Sequence, residues 1–184
     1  MNEDIRSKKF IFIPFCLICQ AFQAKGIVRY GWRGIIKPIV EELVKQDINL
    51  VQMPCPESQF GGYKKGLERN PNGIEYYDNP EFRSLCNKLA SETANMIKSI
   101  LSNGYEIIAI LGIEYSPSCA VKYQYTNEGT IHQPGIFIEE LKKLLNNEEI
   151  RIPFIGINRR GIKKSLGEIK ELFERHEQSR LEFG

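Results

Sequence analysis

Apolar residues in this chain fall into two patterns: short solid runs and longer stripes at the helical period. Residues 9–15, KFIFIPF, form a solid run rich in Phe and Ile, which by length and composition reads as a buried strand. Residues 48–54 (INLVQMP), 105–113 (YEIIAILGI) and 151–157 (RIPFIGI) have the same character. The stripes lie between and after these runs. Residues 35–46 place Ile35, Ile39, Leu43 and Val44 near helical spacing, with Pro38 in the first turn, where a missing N–H costs little. Asn79 is a capping residue for a helix that begins at Pro80. Phe82, Leu85, Leu89, Met96, Ile97, Ile100 and Leu101 then share one helical face, and Asn103-Gly104 is a common helix stop. Residues 135–147 carry Ile138, Leu141 and Leu145 on one side. Residues 165–181 form a charged amphipathic helix with Leu166, Ile169, Leu172 and Phe173.

The resulting order is strand, helix, repeated four times. Such alternation predicts an α/β fold, a mainly parallel sheet of about four or more strands with helices on both faces. Residues 1–184 are expected to form a single Rossmann-like three-layer domain, with 161–184 as a charged C-terminal helix. Links from helix to strand are short, as at 103–105. Links from strand to helix are long: residues 58–79, with Gly61, Gly62, Gly66 and Gly73, and residues 114–134 hold no clear period. Long loops of this kind are usually functional. In open parallel sheets they gather at the carboxyl edge, where ligands bind.

Composition narrows the function classes. Hydrophobic residues make up 42% and charged residues 26%, which is enough for a real core and unlike a disordered chain. The net charge of +2 gives no basic footprint for a nucleic-acid polymer. The densest basic spots, Lys142-Lys143 and Arg159-Arg160 with Lys163-Lys164, read as solvated faces or, for the arginines, as a contact for a substrate phosphate. No apolar stretch reaches the roughly 18–20 residues needed to cross a bilayer, so no membrane association is expected. The charged start MNEDIRSKK and the short run after it argue against a secretory signal, so a cytoplasmic location is expected.

Five cysteines in such a chain point away from a disulfide framework. Cys86 sits among Phe82, Leu85 and Leu89 and reads as a small buried hydrophobe. Three others share a position in the fold: Cys16, Cys55 and Cys119 each lie just past an apolar run. If those runs are parallel strands, the three thiols meet at one edge. Three thiolates can hold an iron–sulfur cluster with one iron left without a protein ligand, or a zinc ion with an open position. Cys19, three residues after Cys16, makes the chain's one C-x2-C pair, for which packing is the preferred reading.

The contexts of the three cysteines go further. Cys16-Leu17-Ile18 after a strand, Cys55-Pro56-Glu57 with Gly61-Gly62 beyond it, and Ser116-Pro117-Ser118-Cys119 preceded by Leu111-Gly112-Ile113-Glu114 resemble the thiouracil desulfurase (desulfidase) family. Gly135-Ile136-Phe137 at the next helix fits one branch of it, and the resemblance spans about residues 9–160. It implies a Rossmann-like enzyme whose 4Fe–4S cluster is held by Cys16, Cys55 and Cys119. It implies an open iron that takes the sulfur of a thiolated nucleobase or nucleotide, a non-redox replacement of sulfur by oxygen. Glu57 and Ser116 match the acidic and hydroxyl residues of the family's active site. Ala120 stands where the family motif usually continues with Gly.

Other readings remain open at this point. One is a zinc- or other metal-binding α/β protein without desulfidase activity, using the same cysteines or a set with Cys19. Another is a nucleotide-binding module with incidental cysteines, although the glycines make neither a dinucleotide fingerprint nor a P-loop. Glu114 and Tyr115 are supporting candidates, His132 is expected in a solvated loop, His176 at the surface, and Trp32 in core packing.

Overall fold

The apolar runs become strands and the stripes become the long helices. The computed structural model describes residues 4–183, with side chains through Gln178; the first three residues of the charged start, the side chains beyond Gln178 and Gly184 lie outside the described residues. The strands are β1 (Lys9–Pro14), β2 (Asn49–Met53), β3 (Glu106–Ile113), β4 (Tyr123–Thr126), β5 (Gly129–His132) and β6 (Phe154–Ile157). Strands β2, β1, β3 and β6 lie in that order in one sheet and all pair in parallel, while β4 and β5 form a separate antiparallel hairpin. The helices are α1 (Phe15–Ile18), α2 (Lys37–Val44), α3 (Pro56–Gln59), α4 (Tyr63–Leu67), α5 (Ile74–Tyr77), α6 (Pro80–Ser102), α7 (Ile136–Asn147) and α8 (Ile162–Phe183).

The two sheet faces bury separate cores. Phe12, Ile107 and Ile110 point to one side and pack with Phe82, Ile97, Phe137 and Leu141 of α6 and α7. Ile11, Ile13, Ile108 and Leu111 point to the other, with Ile39 and Leu43 of α2 and Ile169 and Phe173 of α8. Alternation along β3 breaks once: the register with β1 shifts between Phe10 and Ile11, and Ile108 and Ala109 both face the second core. That is the signature of a β-bulge. The strand order reverses direction between β1 and β3, so the crevice beyond their carboxyl ends is the switch point of the sheet.

Several expected boundaries move. Helix α2 begins after Ile36, so Ile36 joins Ile39 and Leu43 in the core, while Ile35 and Val44 are exposed. On α6, Met96 is exposed and Cys86, Ala90, Thr93 and Ala94 face inward, small side chains that let α7 come close. Strand β6 starts at Phe154, because Pro153 has no N–H for the ladder and offers only its carbonyl, to Ile110 N. The segments expected as long loops are structured: residues 58–79 contain the end of α3 and all of α4 and α5, and residues 114–134 contain the β4–β5 hairpin. Asn79 caps α6 as expected, its side chain accepting from Phe82 N at 3.0 Å. Helices α6 and α7 end in the same way. Gly104 N donates to Leu101 O and Tyr105 N to Ile100 O, and Glu149 N donates to Asn146 O and Ile150 N to Leu145 O. Both are Schellman turns, with Gly104 and Glu149 at positive φ. No helix among the described residues is long and apolar enough to cross a membrane.

Candidate active site

Three strand ends supply the three thiols. Strand β1 runs through Pro14 straight into the single turn α1, which carries Cys16. Strand β2 ends at Met53, and Cys55 is the extended residue that precedes α3, with Pro56 at the first helical position. Glu57 and Ser58 therefore sit in the first turn of α3. After β3, the segment Ser116–Cys119 folds back on itself: Cys119 N donates to Ser116 Oγ at 2.9 Å and Ala120 N to Ser116 O at 3.2 Å. Ala120 at the motif's variant position is fully buried and is not among the residues at positive φ, so it fits this turn without strain.

Close backbone approach locks these loops in place. A Cβ on Gly135 would lie 2.3 Å from the carbonyl carbon of Ser118, and one on Gly66 would lie 2.0 Å from Ser58 O. Glu114, read from the sequence as a supporting residue, is buried and accepts from Lys122 N at 3.2 Å and Tyr123 N at 2.9 Å. Its other oxygen fills the space a side chain at position 156 would need, so Gly156 and Glu114 fit together. Its work is to hold the loop.

Cys16, Cys55, Cys119, Glu57 and Ser116 all line one cavity of about 520 Å³, at the switch point of the sheet. Ser116 Oγ and Ser118 Oγ each lie 2.7 Å from Glu57 Oε1 and donate to it. Arg69, from the segment after α4, reaches Glu57 Oε2 with Nε at 3.5 Å. It also donates through Nη1 to Ser58 Oγ at 3.2 Å and Gly66 O at 2.6 Å, and through Nη2 to Phe22 O. Ser58 Oγ in turn donates to Cys55 Sγ at 3.1 Å. One arginine thus ties Glu57 to the surroundings of a thiol.

Burial pushes all three thiols up from their ordinary range. For Cys16 and Cys119 the neighbouring thiols add to the rise, and for Cys55 Glu57 does. Thiolates here need a strong positive partner, and metal coordination deprotonates a thiol outright. Among the described residues, no three His, Cys, Asp or Glu side chains form a group for a single metal ion. The three thiols line one cavity, each from just past the end of a different strand. That suits a polynuclear cluster, which takes each thiolate at a different corner.

The remaining sequence candidates divide. Arg159 and Arg160 line the cavity, with Arg159 Nη1 donating to Ile27 O at 3.3 Å and Arg160 lying over the Tyr125 ring. Burial lowers the Arg159 guanidinium from its ordinary range, and Cys16 acts in the opposite direction. Tyr115 lines the cavity with a positive φ of 67° and stacks on Tyr125 at 4.8 Å. Cys19 is not a lining residue, Cys86 is fully buried in the first core, and Trp32 packs against the second. His132 is exposed on the hairpin with its ring against Tyr123. His176, expected at the surface, is half-buried with Nε2 2.6 Å from Glu106 Oε1. Lys142 lies over the Phe154 ring and Lys143 pairs with Glu139 and Glu140. Sequence reasoning missed Arg69, Gln23 and Tyr125 as cavity residues. All three sit in stretches without a motif or a clear period.

No known family profile matches the chain. An uncharacterized protein of Methanocaldococcus jannaschii is 27% identical over 140 residues, covering 76% of this chain and 82% of that protein. Among solved structures, a 4Fe–4S-dependent thiouracil desulfidase matches over 88% of this chain and 98% of its own, with a TM-score of 0.48 and 18% identity. That enzyme belongs to the family that the three cysteine motifs resemble.

Proposed function

We propose that this protein is an iron–sulfur-dependent desulfidase that removes sulfur from a thiolated pyrimidine or a similar small thio-compound. The observation that carries the reading is the meeting of three strand-end thiols with a Glu57–Ser116 pair on one cavity. Held by Cys16, Cys55 and Cys119, a 4Fe–4S cluster would supply an iron without a protein ligand, a thiophilic Lewis acid for the thiocarbonyl sulfur.

The chain's own residues do the rest. Net reaction replaces C=S by C=O, with water as the oxygen source and hydrogen sulfide as the product, so no electron enters or leaves. Water must lose a proton as it attacks the carbon. Glu57 Oε1 is the acceptor, and the hydroxyl of Ser116 at 2.7 Å orients the water or carries its proton to the carboxylate. Ser118 Oγ, also at 2.7 Å, fixes the same carboxylate oxygen, and Arg69 holds the other. Glu57 then returns that proton to the departing sulfur, and the proton of the new hydroxyl follows as the C=O bond forms, which completes hydrogen sulfide. Tyr115 and Tyr125 give the cavity flat apolar walls for a planar ring. Arg29, Arg159 and Arg160 add positive charge, which makes a thionucleotide the second substrate form to test.

Anaerobic purification or reconstitution, followed by iron and sulfide counts, tests the cluster; about four irons per chain are expected. Sulfide release from a panel of thiouracils and thiouridine monophosphates tests the reaction. A colourless protein after anaerobic reconstitution overturns the proposal, and one bound zinc with no iron supports the metal-binding alternative.

A further inference from the structure

Building on the desulfidase reading, we infer that Gln23 reads a second carbonyl on the substrate ring, the oxo group that a thiouracil carries beside its thiocarbonyl. Gln23 lines the cavity and is 8% exposed, and its carboxamide nitrogen is buried with no hydrogen-bond partner. Native structures seldom leave such a donor unmet, because its lost hydration is not recovered. Two other buried side-chain atoms among the described residues share that condition, and each differs from Gln23. Arg69 Nε has Glu57 Oε2 at 3.5 Å, and Gln124 does not line the cavity.

The backbone around Gln23 is held firmly. Gln23 N donates to Gln20 O at 3.0 Å, and Lys25 N donates to Arg69 O at 2.9 Å. The Arg69 side chain meanwhile donates to Phe22 O. Both flanks of Gln23 are thus tied to the residue that grips Glu57, which fixes the Gln23 backbone relative to the acid–base group. A neutral N–H donor matches a neutral oxygen acceptor in the plane of a ring. Sulfur accepts hydrogen bonds weakly, so this donor favours the oxo group over the thiocarbonyl and sets which edge of the ring faces it. The substrate class that follows is an oxo-thioxo heterocycle.

The test compares compounds that differ in that oxo group alone: 2-thiouracil with pyrimidine-2-thione, and 4-thiouracil with pyrimidine-4-thione. Intrinsic reactivity differs within each pair but cancels when the wild-type ratio of kcat/KM is divided by the variant ratio. The wild type is expected to prefer the thiouracil by about 100-fold or more. Gln23→Met, of similar length but without the donor, is expected to cut that preference about 10-fold or more at unchanged iron content. Gln23→Asn keeps an amide but withdraws it by one methylene, and it should fall in the same way. Variants that retain the wild-type preference overturn the inference.

Calorimetric binding of uracil and of unsubstituted pyrimidine, which has no oxo group, to cluster-free protein gives a readout apart from turnover. Uracil affinity should drop in Gln23→Met while pyrimidine affinity holds; equal changes overturn the inference. A wild type that releases no sulfide from any of these thiones defeats the desulfidase reading instead, and the uracil titration still decides on Gln23.

Discussion

The two ends of the parallel sheet solve the same chain-reversal problem by different means. At the amino end, helices α2, α6 and α7 hand over to strands through turns that contain a single residue at positive φ: Asp47, Gly104 and Glu149. Backbone groups satisfy one another there, as in the paired bonds that close α6 and α7. At the carboxyl end the connections are long, and polar side chains are buried against each other. Glu57, Ser116, Ser118, Ser58 and Arg69 form one linked set beside three thiols. Of the three buried side-chain atoms without a hydrogen bond found among the described residues, two belong to residues that line this cavity, Gln23 and Arg69. Left-handed backbone appears here too, at Tyr115, but it serves to present a ring to the cavity. One end spends conformational strain on stopping helices, the other on arranging chemistry.

The largest contrast should come from cysteine. Cys16→Ala, Cys55→Ala and Cys119→Ala are each expected to abolish iron retention and sulfide release. Cys86→Ala, in the buried middle of α6, should keep the iron count and lose about 1–2 kcal/mol in denaturant unfolding. Next come the acid–base residues. Glu57→Gln or Ser116→Ala should slow turnover about 100-fold or more with iron content unchanged; full turnover would remove both from the mechanism. Glycine then separates the two ends. Gly135→Ala drives a Cβ into the Ser118 backbone and should cost about 1–3 kcal/mol together with iron occupancy. Gly104→Ala meets no atom within 4 Å and should cost about 1–2 kcal/mol through its φ alone, leaving iron untouched. The smallest effects concern strain in larger residues. Glu149→Gly should gain about 0.5–1 kcal/mol with unaltered kinetics. Tyr115→Gly relieves the same strain but gives up the ring's stacking on Tyr123 and Tyr125, so it should show no gain in stability and should raise KM, because it also removes a cavity wall.

Sequence patterning made the amino end and the core legible, since solid apolar runs and 3.6-residue stripes leave little choice of element. Phe12, Ile110, Leu89 and Leu141 all take the buried positions their spacing implies. The common edge of Cys16, Cys55 and Cys119 was equally readable, because parallel strands put all their carboxyl ends together. Helices α3, α4 and α5 were not, because a single turn has no period to detect. The β4–β5 hairpin was missed because its strands are short and largely exposed, with Gln124 rather than an apolar residue as the buried position. Arg69 and Gln23 gave no signal because their importance lies in partners, found or missing, from segments far along the chain. Burial of Arg159 was equally invisible, since nothing in Arg159-Arg160 says which of the two turns inward.

Glu114 and Gly156 carry a consequence for how this protein can diverge. The carboxylate occupies the volume where a side chain on β6 would begin, so the two positions behave as one unit of inheritance. Any relative with a side chain at 156 must carry a shorter residue at 114, and must then find another acceptor for the amides of Lys122 and Tyr123. Change at this edge of the fold should therefore come in correlated steps, with Gly156 the last position free to vary.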